Sequence, residues 1–246
     1  MELKLPFIGM GRELRRLSEA FRTNDPLLLL GPRGSGKTRL IQEALRGNGQ
    51  VLYVAWEPTL RALLTAVARA LIEARHEAFL RRAKPGADPE AWLAAQTSIR
   101  LKGLLWSAIE SSPVPMVLDG VAGAGFPTYR FVQRIYHVDD GALFVASRDS
   151  SRLGALARLF WNPAKAMHMP VLVDGEAQQL FESAARHFGL YNFKLDDFRE
   201  KVLESAGGNP GQIIEMCRLA ADPQYHAGRH IKFSPLRIDT LIRFTP

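Results

Sequence analysis

The stretch that decides the fold is residues 26–38, which read Pro26-Leu27-Leu28-Leu29-Leu30-Gly31-Pro32-Arg33-Gly34-Ser35-Gly36-Lys37-Thr38. Its apolar first half is typical of a short buried strand in a parallel sheet, and the residues from Lys37 to Leu45 read as a helix. The glycine-rich half matches G-x-x-x-x-G-K-[ST], in which backbone amides at a helix N-terminus line a concave nest for phosphate. We therefore predict a phosphate-binding loop, whose candidate binding residues are Gly31, Pro32, Arg33, Gly34, Ser35, Gly36, Lys37, Thr38 and Arg39.

Three side chains carry the chemistry predicted for this loop. In loops of this pattern the lysine reaches the β- and γ-phosphates of a nucleotide and the hydroxyl residue ligates Mg²⁺. These roles fall to Lys37 and Thr38. Asp119 ends a second apolar run about 80 residues later, which is the expected place for an acid that holds Mg²⁺ through a water. The alternative for Asp119 is an acid at a strand end that caps a helix.

The composition excludes several classes of protein. Cys217 is the one cysteine among 246 residues, which rules out an intrachain disulfide, a redox-active cysteine pair and a cysteine-based zinc site. No uninterrupted apolar stretch reaches the roughly 18 residues of a membrane span, and the N-terminus lacks a signal-peptide pattern. We therefore expect a cytoplasmic protein.

Strand and helix patterns alternate along the first 173 residues, which predicts a parallel α/β sandwich with ligands beyond the carboxyl ends of the strands. One long amphipathic helix is expected from Leu60 to about Arg82, and another from Glu90 to Ser111. Residues 174–224 contain only helical patterns and predict a small all-α subdomain, and no pattern defines residues 225–246. The five predicted strands are Pro26–Leu30, Val51–Trp56, Val114–Asp119, Ala142–Ala146 and Met167–Val173.

A series of motifs in fixed order makes the pattern more specific. Phe7-Ile8-Gly9-Met10-Gly11-Arg12-Glu13-Leu14 precedes the first strand, Ser147-Arg148 follows the fourth, and Gly208-Asn209-Pro210 opens the last helix of the all-α segment. With the phosphate loop and Asp119, this order resembles the AAA+ clade that holds the STAND ATPases and the replication-initiator ATPases. The resemblance covers residues 7–221 and implies the α/β three-layer sandwich of P-loop NTPases with a C-terminal helical lid.

The resemblance also implies Mg²⁺ and ATP as ligands. Gly9 and Arg12 would flank the adenine, and Pro210 of the lid would pack against the base or the phosphates. Arg148 would sense the γ-phosphate, with a plain salt bridge as the alternative. The guanine-reading signature Asn-Lys-x-Asp is absent, which favours ATP over GTP.

Several positions depart from the pattern of such ATPases. A glutamate that polarises the attacking water usually follows the acid at position 119, and here that residue is Gly120. Glu57, after the second strand, is our candidate base; a solvated or capping glutamate is the alternative, and Asp139 and Asp140 are weaker candidates. Initiator lids usually place a sensor arginine where this chain has Gly211. Arg152 and Arg158 are candidate fingers toward a neighbouring subunit or solvated side chains.

The leading interpretation is an ATP-dependent molecular switch with slow or partner-stimulated hydrolysis, acting on a protein partner or through self-association. The first alternative is a DNA-associated ATPase of initiator or transposition-regulator type. It rests on the net charge of +7 and on the basic segment Arg61–Lys84, which would bind phosphates. Solvated arginine faces on ordinary helices are the alternative for this segment. The second alternative is a nucleotide-binding structural partner without turnover.

Overall fold

The computed structural model describes residues 5–48, 50–138 and 142–244. Its backbone contacts divide the chain into two compact units. The sheet unit contains residues 13–31 and 40–168. The helical unit contains residues 5–12, the phosphate loop with residues 32–39, and residues 169–244.

The sheet unit is built on five parallel strands in the order β2-β3-β4-β1-β5. The Leu27–Leu30 strand is buried throughout, as expected for a strand covered on both faces. The prediction of a parallel five-stranded sheet in an α/β fold is confirmed. The strands are β1 (Leu27–Leu30), β2 (Leu52–Ala55), β3 (Met116–Val121), β4 (Leu143–Ser147) and β5 (Ala166–His168).

Helices lie on both faces of this sheet. Alternate strand residues such as Leu28 and Leu30 join one large core with the apolar sides of the helices that follow β2 and β3. On the opposite face, Phe21 meets Phe144 edge to face with ring centroids 4.6 Å apart. The helices are α1 (Gly11–Thr23), α2 (Lys37–Arg46), α3 (Leu60–Glu73), α4 (Glu77–Ala83), α5 (Pro89–Ala95), α6 (Ser98–Ser111) and α7 (Phe126–Tyr136), with 3₁₀ turns at Ser150–Leu159 and Pro163–Lys165.

The largest differences from the sequence prediction concern three elements. The fifth strand ends at His168 rather than Val173, and Pro170, which has no N–H to donate to a ladder, explains the early end. The long helix predicted from Leu60 to about Arg82 is two helices, because Arg75 takes a left-handed φ of +52° between them. The helix predicted over Glu90–Ser111 is likewise two, with Thr97 capping the second.

The helical unit contains the C-terminal helices. Within the segment 225–246, for which no sequence pattern was found, residues 226–231 form a short hairpin and residues 233–244 form a helix. The elements are α8 (Asp174–His187), α9 (Asp196–Ala206), α10 (Pro210–Ala220), the paired strands β6 (His226–Ala227) and β7 (His230–Ile231), and α11 (Phe233–Phe244).

Apolar packing and a few ion pairs hold these helices together. The rings of Phe181 on α8 and Phe198 on α9 lie 5.9 Å apart, and Ile213 of α10 is fully buried. Arg243 of α11 pairs with Glu215 of α10 at 2.8 Å. The pKa of Glu215 is held below its ordinary value, chiefly by its hydrogen bond with Arg218 and further by Arg243. The last helix is therefore tied to α10 rather than extended away from it.

Candidate functional site

The phosphate loop leaves the end of β1 and adopts a backbone that requires glycine at two positions. Gly34 has φ +80° and Gly36 has φ +89°, in the left-handed region that side chains disfavour. Ser35 between them is buried, and its amide donates to the Pro32 carbonyl at 3.2 Å. The loop is thus a tight turn that delivers the chain into the N-terminus of α2.

The ammonium of Lys37 lies over the loop itself. Its Nζ donates to the Pro32 carbonyl at 3.0 Å and to the Ser35 hydroxyl at 3.3 Å. These acceptors are neutral oxygens, and a phosphate oxygen is a stronger acceptor for an ammonium. Lys37 is therefore positioned so that an arriving phosphate can replace weaker partners.

A cavity of about 360 Å³ lies within the helical unit beside this loop. Its volume is within the range of small-molecule sites. One wall is formed by the loop and the start of α2, through Gly34, Gly36, Lys37, Thr38 and Arg39. The remaining wall is mainly apolar and includes Phe7, Ile8, Met10, Leu180, Pro210 and Ile214. A polar wall that can hold phosphate and an apolar wall that can hold a flat ring meet in one cavity.

Of the residues predicted to surround an adenine, one lies at the cavity and two lie elsewhere in the helical unit. Pro210 lines the cavity, whereas the lining contributed by the described residues does not include Gly9 or Arg12. Gly9 has φ +67°, and a Cβ there would lie 2.8 Å from Leu172 and 2.9 Å from Glu176. Gly9 therefore allows a close approach to those two residues, and Arg12 is exposed.

Sequence reasoning missed the apolar neighbours that do line the cavity. Phe7, Ile8 and Met10 flank Gly9 in the N-terminal motif, and their apolar character was a readable signal. Leu180 and Ile214 come from α8 and α10, where an apolar residue on a helix face is also typical of core packing. No signal in the sequence separates those two from core residues.

The N-terminal segment is joined to the loop region through Arg39. The Arg39 guanidinium donates to the Leu5 carbonyl at 3.2 Å, and both residues line the cavity. This contact holds the segment that carries Phe7 and Ile8 against the start of α2. Arg39, predicted as a loop residue that binds ligand, also organises the cavity wall.

In the sheet unit, Asp119 lies near the carboxyl end of β3 and is buried. The Tyr53 hydroxyl of β2 donates to Asp119 Oδ2 at 2.9 Å. Burial and the Asp119 carboxylate raise the pKa of Tyr53 well above its ordinary value, so the phenol stays protonated and remains a donor. Sequence reasoning missed Tyr53, because a tyrosine on a strand is typical of ordinary strand packing.

Gly120 has a backbone reason to be glycine. Its φ is +85°, and the pairing of β3 with β4 is irregular between Asp119 and Val121. A residue with a side chain at such a φ costs on the order of 1–3 kcal/mol. The position where related enzymes carry glutamate is therefore occupied here by a bulge that favours glycine.

Ser147 is the last residue of β4 and Arg148 follows it, at the same edge of the sheet. The buried Ser147 hydroxyl donates to the Val121 carbonyl at 2.8 Å, and the Gly31 amide lies 3.3 Å from the Ser147 carbonyl and 3.1 Å from that of Arg148. The backbone of this segment thus supports the first residue of the phosphate loop. The Arg148 side chain is half-buried.

The other candidate residues of the sheet unit are spread along it. Glu57 lies two residues beyond β2 and is half-buried. Arg152 is 3.7 Å from Asp149, and Arg158 lies over the Tyr129 ring at 6.0 Å. Asp139 and Asp140 lie outside the described residues. The roles predicted for Asp119, Glu57 and Arg148 stay predictions.

The basic segment Arg61–Lys84 engages part of its charge inside the sheet unit. Arg61 donates to the Leu93 carbonyl at 2.9 Å, and Arg69 pairs with Glu90 at 2.6 Å. Their hydrogen bond raises the pKa of Arg69 and lowers that of Glu90. Arg75, Arg81 and Arg82 are exposed. The segment is therefore less available to phosphates than its sequence indicates.

Within residues 5–48, 50–138 and 142–244, no three His, Cys, Asp or Glu side chains gather in a group that would hold a metal ion. In the same part of the chain, no helix has both the length and the apolar character needed to cross a membrane.

Comparison with protein families decides between the folds that could carry such a loop. A family model described as AAA ATPase domain matches residues 6–182. This chain belongs to the AAA ATPase domain family. The match to this AAA ATPase domain begins at the N-terminal motif, contains the phosphate loop and all five strands of the sheet, and ends inside α8.

Solved structures show the same fold for this AAA ATPase domain. Cdc6p from Pyrobaculum aerophilum aligns with a TM-score of 0.58 at 12% identity, covering 89% of this chain and 62% of that one. The Walker-type ATPase of Pyrococcus abyssi aligns with a TM-score of 0.59 at 14% identity, covering 98% and 75%. A STAND protein with a tetratricopeptide repeat sensor from Pyrococcus horikoshii gives 0.55 at 15%, covering 100% and 34%.

These similarities confirm the predicted resemblance to AAA+ ATPases of initiator and STAND type. The chain spans 62% of the length of the Cdc6p structure and 34% of the STAND protein, and identities this low show the fold alone. No curated protein sequence matches this chain.

Proposed function

We propose that this AAA ATPase domain is an ATP-binding molecular switch whose hydrolysis is slow or stimulated by a partner. The observation that carries the proposal is the cavity of about 360 Å³, in which phosphate-loop residues face an apolar wall. Adenine needs apolar faces, and a triphosphate needs amides and a lysine. The family match supports a nucleotide as the ligand.

Within this cavity, one set of residues would bind the phosphates and another would bind the base. Lys37 exchanges its bonds to the Pro32 carbonyl and the Ser35 hydroxyl for bonds to phosphate oxygens. The base packs on apolar side chains such as Ile8, Pro210 and Ile214, which line the same cavity. The phosphates and the base therefore contact different walls of the cavity.

The residue types present fit Mg²⁺ as the accompanying ion. The predicted ligands are the Thr38 hydroxyl and the Asp119 carboxylate, and Mg²⁺ prefers oxygen ligands with one or two carboxylates plus substrate phosphates. When bound, Mg²⁺ would neutralise charge on the phosphates.

The predicted hydrolytic roles form a second part of the proposal. Tyr53 orients the Asp119 carboxylate through its 2.9 Å hydrogen bond. Arg148 is proposed to contact the γ-phosphate and Glu57 to accept the proton of the attacking water. With glycine at position 120, nothing directly after Asp119 can orient water, which favours a switch over a fast enzyme. If ATP binds one conformation of the chain more tightly than the other, its binding would then shift the equilibrium between the two conformations.

ATP with Mg²⁺ should raise the melting temperature more than GTP does. At a ligand concentration 100-fold above Kd, linkage gives about 2.7 kcal/mol of stabilisation, which is roughly 5 to 10 °C for a domain of this size. The guanine-reading signature Asn-Lys-x-Asp is absent from the sequence, so GTP should give a smaller shift. Differential scanning fluorimetry with both nucleotides, with and without Mg²⁺, measures this. Equal shifts by ATP and GTP would refute an adenine site.

Duplex DNA should not form a complex through the basic segment Arg61–Lys84. A complex made on phosphates weakens with a slope of about 0.9 in log affinity per phosphate neutralised, and the internal pairing of Arg61 and Arg69 opposes that role. The measurement is anisotropy of labelled duplex DNA at several salt concentrations. A steep slope that charge reversal at Arg69, Arg75 and Arg82 flattens would instead support the DNA-associated ATPase.

A further inference from the structure

The N-terminus of α10 holds the phosphate loop directly, within the helical unit. The Asn209 side-chain amide donates from Nδ2 to the Arg33 carbonyl at 2.9 Å, and the Gly211 amide donates to the Gly34 carbonyl at 2.9 Å. Asn209 is buried, and its Oδ1 accepts from the Gln212 amide at 3.2 Å, capping the helix. Two consecutive carbonyls of the loop are therefore bound by two residues of one helix turn.

We propose that Asn209 and Gly211 are positioning residues for nucleotide binding, which fix the orientation of the phosphate-loop peptides. This inference rests on the proposed ATP-binding function and names the lid residues that tune it. A trans peptide directs its carbonyl and its N–H to opposite sides, and no described peptide bond is cis. The peptides that hold the Arg33 and Gly34 carbonyls carry the N–H groups of Gly34 and Ser35. When α10 binds these two carbonyls, the Gly34 and Ser35 N–H groups therefore point away from α10.

Steric contact explains why position 211 is glycine in this chain. A Cβ on Gly211 would lie 2.5 Å from Gly34 Cα and 2.9 Å from the Gly34 carbonyl oxygen, and backbone atoms cannot turn aside as a flexible side chain can. In initiator lids the corresponding residue is the sensor arginine. Here any side chain at 211 would push the phosphate loop and α10 apart, so the hydrogen bond from the Gly211 amide to the Gly34 carbonyl requires glycine at this position.

The last helix adds a third contact to the same glycine. A Cβ on Gly34 would lie 2.5 Å from Phe244 Cε1 of α11 and 2.6 Å from Asn209 Oδ1. The Phe244 ring also lies 5.7 Å from the Arg33 guanidinium. The loop segment at Arg33 and Gly34 thus contacts both α10 and α11, so a shift of this segment would change its contacts with both helices.

The decisive variant is Gly211→Ala. Its added Cβ should disturb the contact with Gly34, whereas alanine itself should favour the helix. Alanine favours a helix over glycine by up to about 1 kcal/mol, so the change should not weaken α10 itself. The matched control is Gly175→Ala, at the second position of α8 just as Gly211 is at the second position of α10. A Cβ on Gly175 meets nothing within 4 Å.

A second variant separates the tether from the helix cap. Asn209→Ser keeps a good N-cap acceptor but removes the amide that reaches the Arg33 carbonyl. Its control is Thr97→Ala, which removes the side-chain cap of α6 in the sheet unit. If Asn209 acted only as a cap, serine would restore wild-type behaviour and Asn209→Ala alone would be defective.

The experiment measures the Kd of ATP by calorimetry and amide hydrogen exchange across residues 33–36 in the full chain. We expect Gly211→Ala and Asn209→Ser each to weaken ATP by about three- to tenfold or more, the effect of one lost hydrogen bond. Exchange at residues 33–36 should rise, while exchange in β1 and α9 stays unchanged. Both controls should match the wild type.

The outcomes separate this inference from the proposed function. Wild-type protein that binds no ATP would overturn the proposed function, whereas the exchange data would still decide whether α10 holds the loop. ATP affinity and loop exchange that remain at wild-type values in both variants would overturn the inference alone. Equal losses in the Gly175→Ala control would also overturn it, since the effect would then be general loosening of the helical unit.

Discussion

Replacing Lys37 with alanine should abolish ATP binding while the protein stays folded. The ammonium is expected to make charge-assisted hydrogen bonds to two phosphates, each contributing about 1.5–3 kcal/mol. Loss of both raises Kd by at least about 100-fold. Isothermal titration with Mg-ATP measures the change, and ATP should no longer shift the melting temperature of the variant.

The same substitution should leave the stability of the nucleotide-free protein equal or slightly higher. Lys37 is the first residue of α2, where a cation opposes the helix dipole by about 0.3–1 kcal/mol. Its hydrogen bonds to the Pro32 carbonyl and the Ser35 hydroxyl are made within the phosphate loop and do not join two elements of the core. Circular dichroism melting without ligand tests this, and a large fall in melting temperature would mean that lost binding reflects lost folding.

Lys201→Ala is a suitable control for the charge change. Lys201 lies on α9 in the helical unit and pairs with Asp197 at 2.8 Å, a surface pair of the kind that contributes about 0–1 kcal/mol. Its removal alters the net charge by the same amount and should leave the Kd of ATP unchanged. Wild-type affinity in Lys37→Ala would contradict the assignment of the phosphate loop.

The fold was predictable because its signals are local and repeated. An apolar strand, a glycine-rich loop and a helix in succession define a parallel α/β unit, and the strand pattern recurs at Asp119 and Ser147. The errors lie where a single residue outweighs a periodic pattern. Pro170 ends the fifth strand early, and the left-handed Arg75 splits one predicted helix into α3 and α4.

The candidate site was predictable in its phosphate half and much less so in its apolar half. A lysine and two glycines in a fixed pattern have few other uses, whereas Leu180 and Ile214 are indistinguishable in sequence from core residues. The contacts of Asn209 and Gly211 with the loop join residues about 176 positions apart, and no pattern along the chain encodes such a pairing. The predicted domain boundaries at residues 173 and 224 stay predictions.

The absence of a glutamate directly after Asp119 should slow basal ATP turnover. A general base typically contributes about 10²- to 10⁴-fold, so basal hydrolysis should be far below the roughly 10 s⁻¹ of a typical enzyme. Restoring a glutamate at position 120 is not a clean rescue, because the φ of +85° there would strain it. Our candidate for the base is therefore Glu57, two residues beyond β2.

Glu57→Gln should lower the remaining turnover at least tenfold while the Kd of ATP is unchanged. Glutamine keeps the size of the side chain and removes only the proton acceptor, so binding should persist and the chemical step should fail. The matched control is Glu73→Gln at the end of α3. The charges of Glu57 and Glu73 both help to raise the pKa of Arg69, so both substitutions remove a carboxylate near the same arginine.

Single-turnover phosphate release measures the chemical step separately from product release. Turnover that is unchanged in Glu57→Gln would leave a slow switch without a base at this position. Turnover near 10 s⁻¹ that survives the substitution would contradict the slow-switch proposal and imply a base elsewhere in the chain.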